Sequence, residues 1–362
     1  MIKYIGSKRT LAPVIEDVVR ALPVRSAADL FAGTTRVGQA LRAAGVEVLS
    51  NDTASYAEQL GIAYLETDQR IDRERVRALL AHLSTLPGER GYVTETFCEQ
   101  ARYFHPDNGR RIDAIRAAID RLTLTRPERG LLLTSLLEAA DRVDSTVGVQ
   151  MAYLKEWAPR ALRPLELREP RSVRGPAGRA VRRDANTLAP GLDAYDLAYL
   201  DPPYNQHSYF ANYHVWETIV RNDAPAHYGV ACKREDVRRR KSPYNSRRSA
   251  WTALAGLIET LPTPWLVVSF SNEGFHDLDR MTELLAERGH VGAVAIDSRR
   301  YVGAQIGIHN PRGERVGSVS HLRNVEALFV CGPSRATVDG AIAAAMRHGA
   351  TALHAPAFAA AS

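Results

Sequence analysis

The sequence predicts an α/β protein, in which a mostly parallel sheet carries helices on both of its faces. Two observations predict this class. Strand-like apolar runs alternate with helical patterns over residues 27–64, and strand-like runs return after residue 179. A strand–helix–strand order of this kind forms right-handed βαβ units with parallel strands. The helical stretch between the two parts predicts an insert in the α/β alternation.

The first strands and helices follow from local patterns. Residues 27–33 form a short apolar run that ends in a glycine turn, as a buried strand does. Apolar residues then recur from Val37 to Ala44 at the i, i+3, i+4 and i+7 spacing of a helix. Residues 46–49 predict a second strand, which stops at Asp52, and residues 57–64 predict the next helix.

The middle of the chain has a different pattern. Residues 71–169 carry mostly helical signals, and residues 168–178, rich in Arg, Pro and Gly, predict a loop. Strands are predicted again at residues 180–184, 195–200, 265–270, 291–296 and 325–330. The Ala-rich segment 336–362 predicts one helix followed by a loose tail.

Composition excludes several classes of protein. Three cysteines, widely spaced along 362 residues, give neither a disulfide framework nor a Cys-x-x-Cys zinc site. No apolar run approaches the roughly 18 residues of a membrane span, and the N-terminus lacks a signal peptide. We therefore expect a cytoplasmic protein without a metal and without a membrane partner. The net charge of +6, from 47 basic and 41 acidic residues, suggests an anionic partner.

The strongest chemical signal is the tetrad Asp201-Pro202-Pro203-Tyr204, directly after the apolar strand that ends at Leu200. Two prolines cannot continue a central strand, so the chain must turn out of the sheet at the carboxyl end, where α/β proteins bind ligands. The tetrad offers a carboxylate, a carbonyl and an aromatic ring together. This combination suits an amino group on a planar base.

A second signal is the strand–turn–helix of residues 29–38. A phosphate-binding P-loop would need Lys at the position of Gln39, and no GxGxxG motif is present. What remains is a turn at Gly33 that lets a ligand approach the backbone. Asp52 ends the next strand, where a carboxylate can accept both hydroxyls of a ribose. By themselves, Gly33 and Asp52 fit an ordinary turn and a helix cap equally well.

Taken in order, these segments resemble the motifs of the Dam-like N6-adenine-specific DNA methyltransferases: residues 3–8 (KYIGSK), 29–33 (DLFAG), Asp52 and 201–204 (DPPY). The resemblance spans residues 2–331 and implies a Rossmann-like class I methyltransferase sheet with S-adenosylmethionine as cofactor. We expect residues 1–69 and 179–335 to form the catalytic domain. Residues 70–178 would be a helical insert that recognises the DNA target, before the C-terminal helix and tail at 336–362.

Carried over by position, the resemblance implies roles for individual residues. Catalytic roles are implied for Asp201, Pro202, Pro203 and Tyr204. Cofactor contacts are implied for Tyr4, Lys8, Phe31, Ala32, Gly33, Asp52, Asp184, Ala185 and Asp201. Residues 269–272 and 323–328 resemble later segments of the family. The chain departs from the family at its glycine turn, which lacks a second glycine, and at Ser7, where a glycine is common.

The implied reaction is site-specific methyl transfer to N6 of adenine in DNA, in restriction-modification or epigenetic marking. The lone pair of an exocyclic amino group is delocalised, and hydrogen bonds to Asp201 and the Pro202 carbonyl would localise it in the transition state. None of the cysteines follows a proline, which disfavours carbon-5 methylation of cytosine. An RNA base methyltransferase, acting on an adenine or guanine amino group, and a catalytically silent nucleic-acid-binding protein remain alternatives.

The basic residues concentrate in two stretches. Residues 155–183 contain nine basic and three acidic residues, and residues 233–248 contain eight basic and two acidic ones. Duplex DNA is the expected partner of both, which would also associate the protein with the nucleoid, and a cognate restriction endonuclease is a further expected partner. Aromatic residues interleaved with the second stretch favour nucleic acid: Tyr209, Tyr213, Trp216, Tyr228 and Tyr244. His207 and His214 are expected to be solvated or to face DNA.

Overall fold

The computed structural model describes residues 2–271, 274–275, 277–299, 308–309, 315–317 and 323–353. The strands are β1 Ser26–Asp29, β2 Glu47–Asp52, β3 Arg179–Arg182, β4 Leu197–Leu200, β5 His227–Tyr228, β6 Lys233–Arg234, β7 Trp265–Ser271, β8 His290–Arg299, β9 Ile308–His309, β10 Arg315–Gly317, β11 Arg323–Gly332 and β12 Thr351–Leu353. The helices are α1 Ala12–Arg20, α2 Arg36–Ala43, α3 Ser55–Gly61, α4 Arg73–Thr85, α5 Tyr92–Thr94, α6 Pro106–Arg121, α7 Arg126–Arg142, α8 Ala185–Leu188, α9 Tyr209–Asn212, α10 His214–Arg221, α11 Ala250–Thr260, α12 Leu278–Ala286 and α13 Arg335–Met346.

Eight strands form one sheet in the order β12-β8-β11-β7-β4-β1-β2-β3. The pairs from β3 to β7 are parallel, and β11, β8 and β12 extend the sheet with antiparallel pairs. The chain runs outward from β1 to β2 and β3 and then crosses back to β4 on the other side of β1. The carboxyl ends of β1 and β4 therefore meet at a topological switch point, where open α/β sheets bind ligands.

The two faces of the sheet bury separate cores. Ala27, Leu197 and Tyr199 pack with helices α1, α2, α3 and α13 on one face. Ala28, Ala198 and Leu200 pack with α8, α11 and α12 on the other. All four residues of β4 are buried, as expected for a central parallel strand covered by helices on both sides. The predicted α/β class and the predicted strands are thus confirmed.

The inserted helices pack into the first of these cores. Helix α7 begins with a capping box in which Thr125 and Glu128 satisfy each other's backbone amides. Its apolar residues are buried nearly all round, and Leu132 and Leu136 share a core with strand and helix residues of the sheet. The helices end at Arg142, so the helical prediction is wrong for residues 143–169, which contain one 3₁₀ turn, Pro159–Leu162.

The C-terminal segment is a helix, as predicted, but it is followed by a strand rather than a loose tail. Thr351, Ala352 and Leu353 pair antiparallel with β8 at the edge of the sheet. Alanine-rich sequence gives no period-2 signal, so this strand was not recognisable from the pattern. Residues 354–362 of the predicted tail lie outside the described residues. Within the described part of the chain, no helix has both the length and the apolar character needed to cross a membrane.

Candidate active site

A cavity of about 440 Å³ opens at the carboxyl edge of the sheet, beside the switch point between β1 and β4. Segments from six parts of the chain line it, including the N-terminal segment, the turn after β1 and the end of β2. Among the residues that sequence analysis proposed, those on its wall are Tyr4, Phe31, Gly33, Asp52, Asp184, Ala185, Asp201 and Pro203. Lys8 and Ala32 lie on a second cavity of about 30 Å³, which Asp201 also borders.

The tetrad leaves the sheet as its prolines predict. Asp201 and Pro203 face the cavity, whereas Pro202 is buried behind them. The ring of Tyr204 packs edge-on against Phe270, with 6.0 Å between the ring centroids, and burial raises the pKa of its hydroxyl to about 12. The carbonyl of Tyr204 accepts a hydrogen bond from the amide of Phe275 at 2.9 Å. The tetrad is therefore tied to the segment that follows β7.

Asp201 forms part of a buried charge cluster with Lys8 and Glu326. The Lys8 Nζ atom lies 3.1 Å from Asp201 Oδ1 and 3.0 Å from Glu326 Oε2. Burial raises the pKa of Asp201 to about 6, against the attraction of Lys8. Burial alone would lower the pKa of Lys8, but the two carboxylates outweigh it and hold the pKa well above its usual value. Lys8 is thus a fixed cation behind the tetrad.

Asp29, the last residue of β1, is a buried carboxylate without an adequate partner. Its side chain is 1% exposed and borders the small cavity. The amides of Phe31 and Gly38 point toward it, but neither makes a well-formed hydrogen bond with its oxygens. Burial, with the nearby charge of Asp201, raises the pKa of Asp29 to about 8. A cation bound in the small cavity would pair with this carboxylate.

The turn after β1 is held by Asp52. The Gly33 amide donates to Asp52 Oδ2 and the Ala54 amide to Oδ1, both at 2.9 Å. Gly33 has a φ of +49°, and a Cβ atom at this position would lie 3.1 Å from the ring of Tyr4. Only glycine fits both the left-handed backbone and the close approach. Thr35, with a φ of +61°, occupies a left-handed position in the same turn without being a glycine.

Tyr4 lies within a stack of aromatic rings. Its ring is parallel to that of Tyr213, with centroids 4.3 Å apart, and to that of Tyr209 at 5.4 Å. The hydroxyls of Tyr4 and Tyr56 are 3.2 Å apart, so the stack is also joined to helix α3. This packing fixes the N-terminal segment against the wall of the cavity.

Residues 240–245, which we call the strap, cover one side of the cavity. Tyr244 packs edge-on against Phe31, with centroids 5.2 Å apart. The side-chain amide of Asn245 donates to the carbonyls of Asn205 and His207 at 2.8 and 3.0 Å. At the other end, Arg240 lies 3.7 Å from Glu217, a fully buried carboxylate that also accepts the Ser55 amide at 2.7 Å. The strap thus joins the tetrad loop to the wall formed by α3.

Asp184 and Ala185 follow β3 at the far end of the cavity. Asp184 caps the short helix α8 by accepting the Thr187 amide at 3.1 Å, whereas Ala185 is buried. The neighbouring Arg183 amide donates to Asn51 Oδ1 at 3.0 Å, and the Asn51 side chain donates to the Leu30 carbonyl at 3.1 Å. Asn51 therefore ties together the ends of three strands around the cavity.

The structure corrects several sequence predictions near the tetrad. His214 is fully buried, and burial lowers its pKa to about 3, so it is neither solvated nor able to face DNA. Tyr213, Trp216 and Tyr244 are also buried and cannot contact DNA. Their side chains belong to the core and the cavity wall because α10 and the strap pack inward. His207 is exposed, as expected, and Tyr228 carries Arg238 over its ring at 4.0 Å.

The second basic stretch contains both buried and exposed cations. Arg234 is 1% exposed and forms ion pairs with Asp223 at 2.7 Å and with Asp236 at 3.0 Å. Six other cations of this stretch are exposed: Arg238, Arg239, Arg240, Lys241, Arg247 and Arg248. In the first stretch, Arg160 is paired with Asp144, and Arg182 and Arg183 reach the wall of the cavity.

Several residues that shape the site cannot be assigned to it from the sequence. Asp29 and Glu326 lie in segments that resemble family motifs, but the resemblance implies no role for either of them. Glu217, Arg240 and Tyr244 carry no motif, and only their tertiary positions associate them with the cavity. Asn272, in the quoted segment 269–272, lies outside the described residues. Within the described ranges, no group of three or more His, Cys, Asp and Glu side chains is suited to a metal ion.

A mostly parallel sheet of this order, with a glycine turn after β1 and an Asp-Pro-Pro-Tyr tetrad after β4, defines the class of the protein as an α/β methyltransferase. The chain belongs to the D12 class of N6 adenine-specific DNA methyltransferases, whose family description matches residues 4–276. The substrate of this family is adenine in DNA, which decides against the RNA alternative that the tetrad left open.

Individual relatives agree with this family. The chain is 32% identical over 312 residues to the type II methyltransferase M.NlaIII of Neisseria lactamica, covering 82% of this chain and 92% of that protein. It is 29% identical over 320 residues to the modification methylase LlaI of Lactococcus lactis subsp. lactis, covering 83% of this chain and 51% of that protein. It is 31% identical over 308 residues to the type II methyltransferase M.FokI of Planomicrobium okeanokoites, covering 79% of this chain and 47% of that protein. The chain thus spans about half the length of the latter two proteins.

Proposed function

We propose that the protein transfers a methyl group from S-adenosylmethionine to N6 of an adenine that is flipped out of duplex DNA, with Asp201 as the acceptor for the target amino group. The observation that carries this proposal is the placement of Asp201 at the switch point, paired with Lys8 at 3.1 Å and bordering both cavities. The carboxylate proposed to accept the target amino group thereby borders the cavities that we assign to the cofactor.

The described residues fit this cofactor. Asp29 is a buried carboxylate that lacks a well-formed hydrogen bond and borders the small cavity beside the Gly33 turn. The ammonium group of a bound amino acid moiety would supply the missing partner, since buried charges are normally paired. The larger cavity, at about 440 Å³, lies within the range of about 300–1,000 Å³ typical of small-molecule sites.

Other wall residues suit the nucleoside part of the cofactor. Asp52 ends β2 and faces the cavity, where its carboxylate can accept from ribose hydroxyls in addition to the two amides that it already holds. Phe31, Tyr244 and the buried Ala185 offer apolar surface for a purine. Tyr4 and Lys8, fixed by the aromatic stack and the charge cluster, would hold the N-terminal segment against the cofactor.

The chain contributes orientation and electrostatics to the reaction. S-adenosylmethionine, when bound, supplies an electrophilic methyl group on a sulfonium. Asp201 and the carbonyl of Pro202 would accept the two amino hydrogens of adenine and thereby favour a nitrogen whose lone pair is free to attack. Positive charge develops on that nitrogen, and the Asp201 carboxylate stabilises it. After transfer, the extra proton leaves the nitrogen, and Asp201 is the nearest acceptor in this arrangement.

Binding must offset the cost of extruding the base, which is a few kcal/mol. Stacking on Tyr204, which is partly exposed and held in place by Phe270, would recover about 1–3 kcal/mol. The six exposed cations of residues 233–248 would bind phosphates near the cavity, because Arg240 and Lys241 are themselves on its wall. We further propose that the exposed cations of residues 155–183 extend this surface.

Within the inserted region, fewer residues are available to recognise DNA than the sequence suggested. Helices α6 and α7 are core elements, so the recognition role that we propose for residues 70–178 falls on the irregular part, residues 143–178, and on exposed loop residues. A cognate restriction endonuclease that reads the same site is proposed because relatives carry the names of type II and modification enzymes. Association with the nucleoid would follow from DNA binding.

The test is methylation of unmodified DNA by the purified full chain, with N6-methyladenine measured by mass spectrometry after digestion. We expect Asp201→Ala to lower methylation by at least about 100-fold, which is typical for loss of one transition-state hydrogen bond. Asp193→Ala, at an exposed acidic residue before the same strand, is the matched control and should methylate like the wild type. Wild-type activity in Asp201→Ala would refute the proposal.

A further inference from the structure

Glu326 is a buried carboxylate that the proposed mechanism has not used. It lies near the start of β11, opposite Ser271 of β7 in an antiparallel pair. An antiparallel strand enters the sheet at the edge where the parallel strands end, so Glu326 reaches the carboxyl edge that carries the tetrad. Its side chain is 8% exposed, and its Oε2 atom accepts from Lys8 Nζ at 3.0 Å and from Ser269 Oγ at 3.2 Å.

The Lys8 ammonium is therefore shared between two carboxylates, and its distance to Asp201 Oδ1 is 3.1 Å. With all three groups ionised, the cluster has a net charge of −1. Other titratable groups interact with Asp201 from β1, from its own strand and loop, and from α9. They are Asp29, Tyr199, Tyr204 and Tyr209.

We propose that Glu326 is a positioning residue for methyl transfer: it holds the Lys8 ammonium and takes part of its attraction, so that the ionised Asp201 carboxylate is less neutralised by Lys8 and attracts the target amino group more strongly. This inference rests on the proposed function and gives a role to one more residue of the same site. The Ser269 hydroxyl fixes Glu326 in this arrangement.

The chemical consequence concerns the charge that the reacting nitrogen experiences. Without the negative charge of Glu326, Lys8 and Asp201 form a neutral pair, and the carboxylate attracts the developing positive charge on nitrogen less strongly. The loss applies to the transition state more than to binding of neutral adenine, so kcat falls and KM changes little. Glu326 also raises the pKa of Asp201, so removing its charge lowers that pKa.

The experiment compares wild type, Glu326→Gln and Glu326→Asp by steady-state methylation between pH 5 and 9, with DNA affinity measured separately by fluorescence anisotropy. We expect Glu326→Gln to lower the plateau kcat on the order of tenfold, a loss typical of removing a charged partner that orients a catalytic group. The acid limb of its pH–rate profile should move to lower pH, while KM and DNA affinity stay within about threefold of the wild type. Glu326→Asp should restore part of the plateau.

The matched control is Glu138→Gln, because Glu138 is also 8% exposed and hydrogen-bonded, but to Tyr64 and away from the tetrad. A general effect of burying a neutral amide would appear in both variants, whereas the acid limb should move only in Glu326→Gln. If Glu326→Gln does not fold, Ser269→Ala must still lower the plateau kcat. An unchanged plateau and acid limb in an active, folded Glu326→Gln enzyme would overturn this inference, whereas an inactive wild type would instead refute the proposed function.

Discussion

Two groups of charged residues in this protein differ in their surroundings. The buried cluster of Lys8, Asp201 and Glu326 has fixed partners within about 3 Å and a shifted carboxyl pKa. The six exposed cations of residues 233–248 lie at the surface, and two of them, Arg240 and Lys241, are on the wall of the cavity. Charges in the first group act on a bound atom at a defined position. Charges in the second group act on a polyanion through long-range, salt-sensitive attraction, so catalysis and affinity should be separable.

The largest expected effect is that of Lys8→Met, which leaves two buried carboxylates without their cation. Breaking a buried ion pair typically costs about 3–5 kcal/mol, and we expect a loss of this order in the free energy of unfolding at pH 8. The pKa of Asp201 should rise, because Lys8 lowers it, so any remaining activity should have its acid limb at higher pH. Urea denaturation and a pH–rate profile measure both effects.

Arg239→Gln is the matched control from the exposed group. Surface substitutions of this kind usually change stability by less than about 0.5 kcal/mol. A large loss of stability in Arg239→Gln, or none in Lys8→Met, would break the distinction between the two groups.

The next effect concerns DNA. Replacing Arg238, Arg239, Lys241, Arg247 and Arg248 with Gln should weaken DNA binding by at least about tenfold and reduce the slope of log Kd against log salt by up to about 4.5, if each residue contacts one phosphate. Anisotropy titrations between 50 and 300 mM salt test this. An unaltered salt slope would show that these residues do not contact phosphates and are ordinary solvated side chains.

A third prediction concerns Asp29, which we propose as the partner of the cofactor's ammonium. Burial raises the pKa of Asp29 to about 8, so this carboxyl is largely protonated below that pH when no cofactor is bound. Binding of a cation then requires loss of the proton. Cofactor affinity should therefore rise as pH increases from 6 toward 8. Asp29→Asn should weaken binding by roughly 10–100-fold and remove this pH dependence. Calorimetry with S-adenosylhomocysteine tests it, and a wild-type affinity that does not vary with pH would contradict it.

The last prediction concerns His214 and leaves both groups of charges unchanged. Its folded-state pKa of about 3 lies below the unfolded value of about 6.5, so the unfolded chain gains a proton first as pH falls. The stability due to neutral His214 is complete above pH 7 and declines below about 6.5, by roughly 2 kcal/mol at pH 5. His214→Gln should lose less stability between pH 7 and 5 than the wild type. Equal losses would show that His214 is solvated.

The comparison also separates what sequence can predict from what it cannot. The tetrad, Gly33 and Asp52 were predicted with their positions at strand ends, because each depends on a local strand–turn pattern. Glu326 was not given a role, since its place in the site depends on β11 being antiparallel, which no local pattern specifies. Glu217 reaches Ser55 across 162 residues of sequence. Contacts between residues so far apart in sequence cannot be predicted from local patterns, because they form only in the folded chain.

Only part of the second basic stretch and its neighbouring aromatic residues lies at the surface, which the sequence does not show for a related reason. Arg234 and the exposed Arg238 are both basic residues in one run, yet the first is held by two carboxylates inside the protein and the second lies over Tyr228 at the surface. Tyr213 and Trp216 flank the same stretch in sequence and were expected to contact DNA. They are buried because α10 turns them into the core, and the composition of the stretch does not reveal which way that helix faces.

The measurement that tests the central claim most directly is the single-turnover rate of N6-adenine methylation, at saturating enzyme and cofactor, in Asp201→Ala and in the variant with five neutralised surface cations. The account predicts that Asp201→Ala lowers this rate by at least about 100-fold while its DNA affinity stays within threefold of wild type. The surface variant should show the reverse, with a near-normal rate at saturation and weakened affinity. Equal losses of rate in the two variants would contradict the separation of catalysis from DNA binding.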